Sequence, residues 1–155
     1  MSPTGDCSQG PHGPMRDWNV SAFTDMRHLF YGASAFNQDL SKWDVSAVTY
    51  MGHMFYDASA FNQDLSKWDV SAVTYMGGMF YGASTFNQDL SKWKVSVVTE
   101  MAHMFHDASA FKRELCGAAW VNSTAHQSDM FTNSSGLISP TVCTTTTPGY
   151  GEGGG

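Results

Sequence analysis

Apolar and polar residues alternate along this chain in a pattern that changes period at regular places. In VTYMGHMFYDA, Met51, Met54, Phe55 and Ala58 occur at i, i+3, i+4 and i+7, which puts them on one face of a short helix. Thr49 stands where an N-cap hydroxyl would accept a first-turn N–H, and Thr24, Thr74 and Thr99 repeat the signal. The helix is expected to end near Asp57, or at its counterparts Gly32 and Gly82, where glycine takes the left-handed conformation that closes a helix. SKWDVS alternates and carries Trp and a β-branched Val, predicting a very short strand over 42–45. SAFNQDL then reads as an irregular return, anchored by Phe61 and Leu65, with Asn62 and Asp64 bonding locally to its backbone.

The same block recurs. Trp18, Trp43, Trp68 and Trp93 are 25 residues apart, as are Met26, Met51, Met76 and Met101, and Phe30, Phe55, Phe80 and Phe105. A unit of that length cannot bury its own apolar face and has to lean on its neighbours. Trp120, Asn122, Ser123, Met130 and Phe131 mark a degraded fifth copy, one residue shorter between Trp and Phe, as expected of a cap. The expected fold is an α/β solenoid, leucine-rich-repeat-like, of about five stacked turns, each with a short parallel strand and a short helix. Its parts would be an N-terminal arm or cap (1–14), the repeats (15–131) and a Ser/Thr/Gly-rich tail (132–155). Equivalent residues would lie about 5 Å apart. Trp43, Trp68 and Trp93 would then form an aromatic ladder, with Met and Phe columns filling the interior.

Composition narrows the functions. The formal net charge is −6, and Lys42, Lys67 and Lys92 recur one per repeat, so no groove could neutralise a nucleic-acid backbone. No run of about 18 apolar residues could span a membrane. No charged region followed by an apolar one precedes the repeats, so no secretory signal is visible; either Met1 is not the true start or the chain is a processed or partial product. His28, His53 and His103 share a phase that Gly78 breaks, and they point away from the Met face, which fits solvated histidines better than a metal site. Asp39, Asp64 and Asp89, with Asp44 and Asp69, are oxygen-rich columns of the kind that suit Ca²⁺, yet the lysines compensate them. Ser46 and Ser71 recur without a paired base, the behaviour of structural positions. No enzyme activity, metal or cofactor is expected.

Other residues point outward. Asn19, Asn122 and Asn133 head N-glycosylation tripeptides, and Thr144, Thr145, Thr146 and Thr147 precede Pro148 in a stretch resembling O-glycosylated stalks. Of three cysteines, Cys116 and Cys143 flank the terminal turn and are placed to staple the tail to it, while Cys7 would lie some 20 Å away, leaving it to an intermolecular bond or as one free thiol. Three unpaired buried cysteines are the alternative. Tyr31, Tyr56 and Tyr81, continued by His106, follow the buried Phe by one residue and so face solvent. Exposed aromatics in a line mark a partner surface, for carbohydrate or for another copy; capping of the helix ends is the structural alternative. The glycine-rich tail from Thr144 to Gly155, with Tyr150, is expected to run along a neighbouring copy, the alternative being that it folds back on its own cap.

The blocks WDVSAVTYMGHMF and ASAFNQDLSKWDVSAVTYMGGMF resemble the BspA-like leucine-rich repeat of bacterial and protist surface proteins. The resemblance covers roughly 18–111 and weakens through Phe131; Asn19, Lys94 and FKREL depart from the pattern near its two ends. It implies a surface-exposed or secreted adhesion or structural protein, with no catalytic residue and no cofactor. The function expected is an extracellular or cell-surface structural repeat protein that self-associates end to end, as the subunit of a glycosylated fibril. The alternative is an adhesion module that binds a protein or glycan ligand.

Overall fold

In the computed structural model, residues 13–144 are described. Regular elements are few: a 3-10 helix at Met15–Asp17, strand β1 at Glu114–Leu115, helix α1 at Ala118–Val121 and strand β2 at Leu137–Ile138. β1 and β2 pair in parallel, Glu114 opposite Leu137 and Leu115 opposite Ile138. The expected α/β solenoid, with a strand and a helix in every stacked turn, is therefore corrected. Among the described residues no helix or strand falls within 18–111, where the repeat is most regular.

The helix fails at identifiable residues. His53 and Asp57 have φ of 54° and 53°, and their counterparts share the conformation: His28, Gly78 and His103 in one column, Gly32, Gly82 and Asp107 in the other. Left-handed residues inside a would-be helix break its i→i−4 bonding. The amides divide instead into two alternating sets. Met54, Tyr56 and Ala58 donate three residues back, to Met51, His53 and Phe55, closing successive turns. Met51, His53, Phe55 and Asp57 donate to the carbonyls of Tyr75, Gly77, Met79 and Tyr81 in the next repeat, at 2.7–3.0 Å. The i, i+3, i+4, i+7 spacing thus belongs to consecutive turns that share an inner face.

Thr49 caps no helix. Its hydroxyl donates to the carbonyl of Thr24 at 3.1 Å, as Thr74 does to Thr49 at 3.2 Å. The strand expected over 42–45 is also absent; single-residue parallel bridges join Asp25, Tyr50, Tyr75, Glu100 and His126 instead. Asn62 bonds beyond its own loop. Its Oδ1 accepts the Asn87 amide and Gln88 Nε2, both at 2.9 Å, just as Asn37 serves Asn62 and Gln63.

The core is continuous from Val20 to Met130. Phe55 lies between Phe30 and Phe80, with ring centroids 5.3 and 5.4 Å away, and stacks on Phe61 at 4.1 Å. Trp43, Trp68, Trp93 and Trp120 are buried, but their ring contacts do not form a tryptophan ladder. Trp68, for instance, tilts against Phe55, and each indole Nε1–H donates to a backbone carbonyl: Met15, Leu40, Leu65 and Leu90 respectively, at 2.8–3.0 Å. Burying an indole N–H requires such a partner. At the far end β2 covers β1, and a disulfide joins Cys116 to Cys143, Cα to Cα 5.0 Å.

Candidate interaction surface

The left-handed turns carry two ring columns outside the core. Tyr31, Tyr56, Tyr81 and His106 stack face to face, with centroids 4.5–4.7 Å apart and planes within 7° of parallel. Beside them His28 stacks on His53 at 5.2 Å, while His103 stands edge-on to His106. Gly78 interrupts the histidine column for a physical reason: its φ is +59°, and a Cβ there would come within 2.7 Å of His53 Cδ2. The His53 ring leans into that space and is half-buried. Burial first, then the neighbouring His28 and His103, lower its pKa. Burial likewise raises the Tyr56 phenol, followed by the influence of Tyr81 and Asp57. Tyr31 is exposed, whereas Tyr56, Tyr81 and His106 are half-buried by their neighbours. The column is a partly open aromatic surface rather than a row of free side chains.

The first repeat is open in a different way. Trp18, Phe23 and Leu29 are 37%, 54% and 50% exposed, whereas residues of the same phase one repeat on, Trp43, Val48 and Met54, are 5%, 0% and 0% exposed. Three core positions therefore face outward at one end. This patch was legible only faintly in the sequence, as larger or different residues (Phe23 for Val, Leu29 for Met) at core phases of the first copy.

The acidic columns are committed to local turns. Ser41 and Ser66, through their backbone amides first, hold Asp39 and Asp64 below the usual carboxylate range. Ser46 and Ser71, through their hydroxyls first, do the same for Asp44 and Asp69. Among the described residues no group of three or more His, Cys, Asp or Glu side chains is placed to hold a metal. No helix among them is long and apolar enough to cross a membrane.

The N-glycosylation candidates stand in the first repeat (Asn19) and in the last (Asn122, Asn133). Asn19 is exposed and occupies the turn position of Asp44 and Asp69, its Oδ1 accepting Ser21 N–H at 3.1 Å and Oγ–H at 2.7 Å. Asn122 is exposed and donates to the Ala118 carbonyl at 2.9 Å; Asn133, also exposed, has φ of 57° and donates to Asp107 at 2.7 Å. Thr144 is exposed. Cys7, Thr145, Thr146, Thr147 and Tyr150 lie outside the described residues.

A family model described as "Mycoplasma protein of unknown function, DUF285" matches residues 5–120 and 67–140. No curated protein and no solved structure matches the chain.

Proposed function

From the premise that the chain belongs to this DUF285 family across most of its length, we propose an extracellular or cell-surface structural repeat protein that associates with copies of itself. The observation that carries this reading is the exposure of Trp18, Phe23 and Leu29 at phases that are buried in the next repeat. Apolar core positions left in water favour association, at about 25 cal/mol for each Å² covered. The placement outside the cell is supported by the Cys116–Cys143 disulfide, which suits an oxidising compartment, and by the exposed Asn19, Asn122 and Asn133. The likeness of the repeats to BspA-like surface proteins points the same way. Such a subunit would build glycosylated fibrils.

A second reading, an adhesion module for a protein or glycan ligand, is favoured by the stacked column of Tyr31, Tyr56, Tyr81 and His106. A row of parallel rings offers faces and edges on which sugar rings or apolar side chains can pack. Mass photometry of the purified full chain, over a range of concentrations, separates the two. Polymers growing with concentration are expected; monomers throughout would overturn self-association and leave the adhesion reading.

A further inference from the structure

The bonding between repeats has a direction. At each internal junction the left-handed turns of one repeat supply amides and those of the next supply carbonyls, as Met101, His103, Phe105 and Asp107 donate to His126, Ser128, Met130 and Thr132 at 2.8–2.9 Å; elsewhere in the repeat, amides such as those of Thr49, Thr74 and Thr99 donate the other way. In the first repeat the carbonyls of the same phase belong to Asp25, Arg27, Leu29 and Tyr31, and among the described residues no backbone amide donates to them. In the last repeat the amides of the donating phase belong to Gln127, Asp129, Phe131 and Asn133, and among the described residues none of them reaches a backbone acceptor. One end thus carries a row of four acceptors, and the other a row of four donors at the matching spacing.

We infer that the last repeat of one molecule docks on the first repeat of a second copy, the amides of 127, 129, 131 and 133 meeting the carbonyls of 25, 27, 29 and 31. This rests on the self-association reading and specifies its surface. Side chains agree with the register. Equivalent residues of adjoining repeats lie side by side, as the Phe105 and Phe131 rings do at 5.6 Å. The same offset across two molecules sets Asp129 beside His28, a carboxylate facing an imidazole, and brings His126, paired with Glu100 at 3.1 Å, beside Asp25, paired with Arg27 at 2.7 Å, so that the two ion pairs adjoin. It also covers the exposed Leu29 with Met130 and the exposed Phe23 with Ala125.

Residues 135–139 leave room for this. Ser135, Leu137 and Ser139 donate to Phe111, Arg113 and Leu115. Residues 135–139 therefore extend the half of the repeat that contains β1 and continue the 126–133 half alongside it. The donor row of that half is not used by them. Because the docked surfaces differ, each addition regenerates both ends, and growth is open-ended.

Two exposed positions test the register in the full chain. Leu29→Lys places a charge in the junction from the first repeat, and Ser128→Arg places a guanidinium against Arg27 of the neighbour; both side chains are exposed in the monomer. Each variant should raise the concentration at which assembly begins by roughly tenfold or more, with its melting temperature held near that of the unmodified chain. Each blocks a single end, so an equimolar mixture should give one-to-one dimers and nothing longer. Ser128→Glu, able to pair with Arg27, should assemble at least as well as the unmodified chain and controls for damage to the fold at that position. An unmodified chain that stays monomeric would overturn self-association and this inference together. Chains that grow normally from either blocking variant, long polymers from their mixture, or loss of assembly in Ser128→Glu would overturn the register alone.

Discussion

Trp68 shows how one residue serves two roles. Its ring is buried against Phe55, and its Nε1–H satisfies the Leu40 carbonyl of the preceding repeat at 3.0 Å. Trp68→Ala removes a large buried apolar side chain and one of the two hydrogen bonds to that carbonyl, the Trp43 amide keeping the other, so a loss of ~3–5 kcal/mol is expected in denaturant unfolding. Tyr56 is half-buried and keeps two ring stacks, with Tyr31 and Tyr81. Tyr56→Ala should cost less, about 1–2 kcal/mol, since each aromatic pair contributes about 0.5–1.5 kcal/mol. Equal losses from the two substitutions would refute the assignment of inner and outer faces. Both residues announce themselves in the sequence by phase. The partner of the indole N–H does not, because it is a carbonyl 28 positions away.

The turn is the element in which physical chemistry departs most from the sequence pattern. Consecutive turns present side chains inward at the same intervals as a helix, so Met51, Met54, Phe55 and Ala58 were legible as one buried face while their backbone was not. The deciding residues are the left-handed ones. Gly32, Gly78 and Gly82 accept that conformation freely, but His53, Asp57 and Asp107 adopt it as well. Tertiary bonding repays them: in the first four repeats the left-handed His28, Gly32, His53, Asp57, Gly78, Gly82, His103 and Asp107 each donate their amide to the next repeat. The His53 ring also gives the turn a pH dependence. Its folded-state pKa is lowered, chiefly by burial, so the unfolded chain binds the extra proton more readily. The stabilisation is present above the unfolded pKa of about 6.5 and is lost as pH falls through the lower folded value. Asp39, Asp44, Asp64 and Asp69, also lowered, act in the same direction below about pH 4. An acid titration of stability should therefore fall in two stages, and His53→Gln should remove His53's contribution to the upper one. An unchanged upper stage in that variant would contradict the assignment.

Across the whole molecule, stability passes from repeat to repeat and is secured unequally at the two ends. The Cys116–Cys143 disulfide closes a separation of 27 residues over the last repeat, which corresponds to about 3–4 kcal/mol of restricted unfolded-chain entropy. Cys143→Ser should lose about that much. Hydrogen exchange should place the earliest loss of protection in 111–139, where β2, α1 and the tethered segment meet. Uniform loss across all repeats would show that the molecule opens as one unit instead. Among the described residues the first repeat has no comparable staple, and Phe23 and Leu29 stay exposed; that asymmetry underlies the directional assembly inferred above.

The sequence by itself determined the 25-residue period, the residues that fill the core and the degraded character of the fifth copy, because burial depends on side-chain chemistry repeated in phase. Only the tertiary structure decided that the repeats would be turns rather than strand and helix. Nearly every amide that a helix would bond four residues away has its partner either three residues back or in the adjoining repeat. A local pattern records which face is apolar; it does not record where the backbone hydrogen bonds go. The open first repeat follows the same rule, since Trp18, Phe23 and Leu29 occupy core phases and yet are exposed, which the local pattern does not record.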